Sequence, residues 1–574
     1  MSDFDLVIRG GTVHDGAGGE AIEADVAITG DRIAQVGKVA GSGREEIDAK
    51  GKLVAPGWVD IHTHYDGQAT WDQRLRPSSS LGVTTIVMGN CGVGFAPVRP
   101  EHHDMLIGLM EGVEDIPGVA LHEGLKWNWE SYGDYLDAVS AIPHDIDIGS
   151  QLPHSALRVY VMGGRGAQRE PATLEDIARM RQLTTEAIRA GALGFSSSRS
   201  INHKTNEGEL IPSYGATKEE LQQIALGLKD AGSGVLQYTT DRPGDAEEWD
   251  MLTGLVRLSG RPLSIAMGQD PKHPDRWKET LSQIEKARAE GLPILGQVAA
   301  RAIGLLIGLQ TTAHPFSTRP SYQAIADRPL AERARAMRDP ALRAKILSEP
   351  TTSGTSFLEA INSRYYEMFN FGNPPVYEPK PEESIGARAA ASGANPLDII
   401  YDIMIADDGQ GFLYFPLANY VEGNLDAVRE MLANEATLNA LSDGGAHCGN
   451  ICDVSMPTFL LTHWARDRIG EKFDIGYMIR RQTHDTARAL GLNDRGLLRA
   501  GYRADVNVID FDRLHLKPPE MRYDLPTGAK RLYQEAEGYI ATICAGQPIY
   551  RNGEATGALP GRVVRGSRPA PAAA

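Results

Sequence analysis

The sequence predicts an α/β protein: a (β/α)8 TIM-type barrel, with a small β-sandwich domain built from both chain ends and an insertion at the barrel mouth. Two observations predict the barrel and its β partner. Eight apolar runs end at polar or glycine-rich spots, at 53–62, 83–91, 145–154, 191–198, 234–239, 263–268, 293–299 and 438–443, with helical spacing between most of them. Strands alternating with helices form parallel sheet, and eight such repeats close into a barrel. The chain ends read differently, as short strands of alternating apolar and polar residues at 5–13, 25–36, 503–510 and 539–550.

Taken in order, 5–13 and 25–36 form a hairpin-like pair, with Gly10-Gly11 and Thr29-Gly30-Asp31 as turn signals. The barrel begins near 56. Its helices are predicted at 173–190, 217–231 and 275–290; Thr173 and Thr217 each stand just before acidic residues, as an N-cap with an acidic first turn does. Residues 300–430 are too many for one loop between strands. They hold a charged helical stretch at 329–348 and aromatic residues Tyr365, Tyr366, Phe369 and Phe371, and are expected to cap the barrel mouth. The expected domains are therefore 1–55 with 495–557 (β-sandwich), 56–494 (barrel) and 300–430 (lid), with 558–574 a flexible Pro/Ala/Gly-rich tail.

Composition limits the function. The 574 residues carry a net charge of −17, the wrong sign for binding a phosphate backbone. No run of eighteen apolar residues exists to cross a membrane, and the N-terminal MSDFDLVIRGG is not a secretory signal. Cys91, Cys448, Cys452 and Cys544 are too few for a disulfide framework. A cytoplasmic enzyme acting on a small molecule is expected, with no nucleic-acid or membrane partner; the oligomeric state is not readable.

Barrel enzymes gather their chemistry at the C-terminal strand ends. Here those ends offer His62 and His64, Cys91, His154, Ser196–Arg199, Tyr238, Gln269, Gln297 and Asp443. His-x-His on a strand puts both rings on one side. Imidazole, thiolate and carboxylate are the usual zinc donors, and strands eight and one are neighbours in a closed barrel. His62, His64, Cys91 and Asp443 are thus the candidate metal set, with Asp443 either a ligand or the adjacent base. Substrate contacts are expected from Arg199, His203, Lys204, Tyr238, Gln269, Lys272 and His447, Arg199 leading because guanidinium binds a carboxylate through a planar fork.

These strings resemble a known family. Ala55-Pro-Gly-Trp-Val-Asp-Ile-His-Thr-His-Tyr-Asp66 is similar to the first-strand signature of the amidohydrolase superfamily, and Gly82-Val-Thr-Thr-Ile-Val-Met-Gly-Asn-Cys-Gly92 resembles the second strand of N-acyl-D-amino-acid deacylases. His154–Gly163, Gly191–Ser196, Leu441–Gly444 and Asp494–Asp505 continue the resemblance over nearly the whole chain. It implies that His62, His64 and Cys91 bind metal and that Asp443 is the general base and acid. It also marks a departure: family members place ligand histidines after strands five and six, where this chain has Leu236-Gln-Tyr-Thr-Thr240 and Ala266-Met-Gly-Gln269. One ion, zinc by default for mixed N/S/O donors, is expected. The predicted reaction is hydrolysis of an amide C–N bond in an N-acyl amino acid or related amide. The alternatives are a different cyclic or linear amide, or a barrel without catalysis that acts as a binding protein.

Overall fold

A computed structural model describes residues 2–351 and 356–572. Eight parallel strands make one curled sheet: barrel strand one is Trp58–Asp60, two Val83–Met88, three Asp147–Pro153, four Gly194–Arg199, five Val235–Thr240, six Leu263–Ala266, seven Ile294–Val298 and eight Thr437–Asn439. Consecutive strands are neighbours throughout. Beyond the ends of strands eight and one, a parallel bridge joins Thr63 to Gly444, with the His64 amide donating to the Gly444 carbonyl at 2.8 Å. That bridge brings Asp443 beside the two histidines.

The helices expected on the outside form where their caps place them. Leu174–Ala190 starts at Thr173, whose side chain accepts from the Asp176 amide while Asp176 reaches back to the Thr173 amide. Lys218–Ala231 starts at Thr217, which accepts from the Glu220 amide, and ends at Gly232 with φ 77°. Among the described residues no helix is long and apolar enough to cross a membrane.

Four details differ from the sequence reading. The run 53–62 is two strands, because Leu53–Pro56 pairs with Phe4–Val13 and Val506–Ile509 in the terminal β sheet while Trp58–Asp60 enters the barrel. Gly57 divides them where a Cβ would lie 2.2 Å from Thr84 Oγ1. Gly10-Gly11 is not a turn but a bulge within Phe4–Val13; it bends the strand, so one half pairs with Gly43–Asp48 and the other with Leu53–Pro56. The charged stretch 329–348 is two helices, Leu330–Met337 and Pro340–Ser348, broken at Pro340. The tail expected to fray is pinned along the barrel: the Gly561 amide donates to the His144 carbonyl, Val564 to Ile148 and Arg568 to Gly491.

The terminal sheet has nine strands, five from Phe4–Val13 through Leu53–Pro56 at one end of the chain and four at the other, Val506–Ile509, Tyr539–Cys544, Gln547–Arg551 and Glu554–Ala555. It is tied to the base of barrel strand three by charge. Asp147, fully buried, accepts from Arg495 Nη1 and Arg503 Nη2, both at 2.8 Å, and from the Arg562 amide at 3.0 Å. Between strands seven and eight, Ile303–Ile307, Leu413–Ala418 and Phe369–Asn370 form a three-stranded sheet over a core of its own that includes Leu305, Phe316, Ile400 and Phe415. The chain returns from it along strand six, where Asn419 and Gln269 exchange hydrogen bonds: the Asn419 amide donates to the Gln269 carbonyl at 2.9 Å and the Gln269 amide to Asn419 Oδ1 at 2.7 Å.

Candidate active site

His62 and His64 follow strand one with the spacing that puts both rings on one side, and both are about 1% exposed. Cys91 follows strand two with φ 53°, and its amide donates to Gln237 Oε1 at 3.1 Å. Donor atoms of His62, His64 and Cys91 all lie within 4.8 Å of one another, and His62 Nε2 is 3.3 Å from Cys91 Sγ. Asp443 stands beside the histidines, its Oδ1 3.6 Å from His62 Nε2 and 3.8 Å from His64 Nε2. It is not the last residue of strand eight, which stops at Asn439, but sits in the following loop.

That loop is strained. Leu441, Asp443 and His447 have φ of 60°, 47° and 55°, the left-handed region that costs a non-glycine residue about 1 kcal/mol or more. The surroundings hold it: the Asp443 amide donates to the His62 carbonyl at 3.2 Å, and Asp115 Oδ2 accepts from the Gly449 amide at 3.0 Å.

The His62 ring is oriented for a cation. Gln297, at the end of strand seven, accepts at Oε1 from His62 Nδ1 at 2.7 Å and donates from Nε2 to Ser264 Oγ at 2.9 Å. This selects the His62 tautomer whose Nε2 lone pair faces Cys91 and Asp443. Burial lowers His62 to about 4, so it is neutral at pH 7. Burial also lowers His64, raises the Cys91 thiol and lifts Asp443 to about 7. Asp443 Oδ1 is buried with no hydrogen-bond partner. Two imidazole lone pairs and a thiol within 4.8 Å of one another, with an unpartnered carboxylate oxygen beside the histidines, fit a single divalent ion.

The positions after strands five and six are already committed. Gln237 accepts from Cys91 and donates to Thr239 Oγ1 at 3.1 Å. Gln269 donates from Nε2 to Glu422 at 2.5 Å and accepts from the Val421 amide at 3.1 Å. Gln269 thus fastens the segment returning from the insertion rather than facing the donors. Arg199 and Tyr238, also expected to contact substrate, lie against other side chains. Arg199 pairs with Glu248 of the helix Ala246–Ser259 at 2.9 Å, and the buried Tyr238 lies against the same two side chains. Their phase explains it: Ser196 and Gln237 turn inward to Gly92 and Cys91, so Arg199 and Tyr238, an odd number of residues on, face the helices.

Of the other expected contacts, His447 is near the site, its Nε2 3.8 Å from Asp443 Oδ2. His203 accepts or donates at Nδ1 with Ser198 Oγ at 2.8 Å, and desolvation together with His62 lowers it to about 4. Lys272 is exposed in the turn after strand six, and Lys204 pairs by backbone with Leu210; among the described residues neither makes an ion pair with the donors. His154 is occupied elsewhere, between Ser197 Oγ and Glu220 Oε1 at 2.8 Å each. Side-chain exposure of 18% at Asp443 and 23% at His447 marks where solvent reaches the centre.

Sequence reasoning passed over Glu114, the last residue of the helix His103–Glu114, and gave Gln297 no role. Glu114 Oε1 is 3.3 Å from His64 Nδ1. Its position in sequence, at the end of an ordinary amphipathic helix, carries no signal; Gln297 was readable from its place at a strand end.

Known proteins place this architecture. The D-aminoacylase of Alcaligenes xylosoxydans xylosoxydans is 27% identical over 569 residues, spanning 98% of this chain and 97% of its own. A D-aminoacylase structure, described by a binuclear metal centre with one-metal activation and second-metal attenuation, matches with TM-score 0.64 at 25% identity over 98% of this chain and 100% of that one. The N-acyl-D-glutamate deacylase of Bordetella bronchiseptica, solved with zinc and a phosphonate mimic of the tetrahedral intermediate, shares the fold with TM-score 0.63 at 21% identity over 98% and 99% of the two chains. A profile of the Amidohydrolase family matches residues 45–550, and this chain belongs to that family.

Proposed function

We propose that the chain is a cytoplasmic hydrolase that uses one zinc ion, held by His62, His64 and Cys91 beside Asp443, to cleave the amide C–N bond of an N-acyl amino acid. The observation that carries this reading is the buried donor set with an unpartnered Asp443 oxygen at its edge. The D-aminoacylase relatives support the substrate class. A single ion is supported by the commitment of Gln237 and Gln269 to other partners.

An ion bound there supplies a Lewis acid for the carbonyl and makes a nearby water acidic near neutral pH. Asp443 accepts a proton from the attacking water and returns it to the departing amine. Asp443 Oδ1, buried without a hydrogen-bond partner beside the histidines, is the oxygen placed for both transfers. His62 and His64, neutral and almost closed to solvent, keep their side of the centre dry. His447 and His203, neutral imidazoles beside the opening, are assigned to the substrate's polar groups; Arg199 and Tyr238 are not, since they face the helices. Lys204, Gln269 and Lys272 have no part in this reading.

The test is a screen of N-acyl D- and L-amino acids with zinc-loaded protein, in parallel with Asp443→Asn. The reading expects hydrolysis of an N-acyl amino acid and a loss of about 10²–10⁴ in kcat in the variant, with zinc retained. No hydrolysis of any N-acyl amino acid, or a variant as active as the parent, overturns it.

A further inference from the structure

We infer that Glu114 is a positioning residue that fixes both sides of the centre at once: the metal-binding ring of His64 and, through His447, the loop that carries Asp443. The inference rests on the one-metal reading above. Glu114 is 3% exposed, and its ion-pair contacts among the described residues are to imidazoles alone. Oε1 lies 3.3 Å from His64 Nδ1 and Oε2 lies 3.7 Å from His447 Nε2. The same His447 nitrogen is 3.8 Å from Asp443 Oδ2, and the His447 amide donates to the Glu114 carbonyl.

This geometry has two consequences. His64 Nδ1 is buried without a hydrogen-bond partner, and Glu114 Oε1, 3.3 Å away, is the acceptor placed to hold its proton when Nε2, which faces Asp443, takes a cation, the role Gln297 already has for His62. The bond from the His447 amide to the Glu114 carbonyl is a backbone tie that any residue at 114 keeps; the carboxylate adds a side-chain contact, Oε2 3.7 Å from His447 Nε2, to a ring that borders Asp443 in the strained segment 441–447. A carboxylate reaches both because the helix His103–Glu114 ends between the loops that come after strands one and eight.

The experiment compares Glu114→Ala, Glu114→Gln and Glu114→Asp with the parent. Zinc affinity is read by chelator competition, the visible absorption of the cobalt-loaded protein reports ligand geometry, and hydrogen exchange of 441–450 is followed in metal-free protein. Glu114→Ala is expected to bind zinc about 10–100-fold more weakly, with a changed cobalt spectrum and faster exchange of the loop. Glu114→Gln, whose amide oxygen offers His64 Nδ1 an acceptor in the same place, stays within about threefold of the parent. Parental affinity and spectrum in Glu114→Ala, or equal losses in Glu114→Ala and Glu114→Gln, overturn the inference. Should Glu114→Ala not fold, weakened binding in Glu114→Asp beside near-parental Glu114→Gln supports it, and the reverse order overturns it. A parent that binds no zinc at all defeats the one-metal reading instead, so the two failures are distinguishable.

Discussion

Removing Asp147 should loosen the β domain from the barrel, and the contacts set the size of the effect. Asp147 is fully buried at the base of strand three, between Arg495, itself 2% exposed, and the fully buried Arg503, each 2.8 Å away. Two unit charges 4 Å apart attract by about 4 kcal/mol at an effective dielectric near 20, so the two pairs give roughly 8 kcal/mol before desolvation. Desolvating one carboxylate takes back several kcal/mol, and breaking a buried pair typically costs about 3–5 kcal/mol net. The arginines keep other acids after the change: Asp494 is 3.0 Å from Arg495, and Asp505 and Asp31 are 3.5 and 3.3 Å from Arg503. Asp147→Ala is therefore expected to cost about 3 kcal/mol, the low end of that range. Asp147→Asn, which keeps one acceptor oxygen, should cost less. Urea unfolding measures both, and limited proteolysis tests whether 495–510 opens first. A loss under about 1 kcal/mol in Asp147→Ala would refute the view that this charge cluster joins the two units.

Three other outcomes are expected. Gln297→Leu removes the acceptor at His62 Nδ1 and should weaken zinc binding about 10–100-fold in a chelator competition while leaving the fold intact. Burial raises Asp145 to about 6, above its unfolded value, so the native state holds the proton more tightly and this group's contribution to stability falls as pH rises from about 4 to 6. Asp145→Asn abolishes that dependence and should gain up to about 3 kcal/mol on the parent between pH 4 and pH 8, read by urea unfolding at each pH. Arg199→Ala, which breaks a pair with Glu248 on the helix side of strand four, should change KM for an N-acyl amino acid by less than about threefold, as a partly exposed ion pair outside the pocket would.

The part of the site that the sequence displays is the part written into strand periodicity. His62 and His64 share a face because they are two residues apart, and Cys91 and Asp443 are legible because each stands just beyond a barrel strand, the second and the eighth. The same period-two rule, applied to Gln237 and Tyr238 or to Ser198 and Arg199, separates inward from outward residues; proximity to a strand end alone does not show that Arg199 and Tyr238 lie against Glu248. Glu114 lies beyond such a rule, because only the packing of a helix end between two loops brings it to His64. The fold has the same boundary. Capped helices and alternating strands were legible, whereas the division of 53–62 between two sheets was hidden by a continuous apolar run, and the order of 558–572 comes from hydrogen bonds to strand three and to residues 191 and 491 that composition cannot show.

The most direct test of the central claim is the metal content of the purified protein, measured by elemental analysis for the parent and for Cys91→Ala and His62→Ala. The account predicts close to one zinc per chain in the parent and far less in either variant. Two tightly held ions, or a parental content that survives both substitutions, would contradict it.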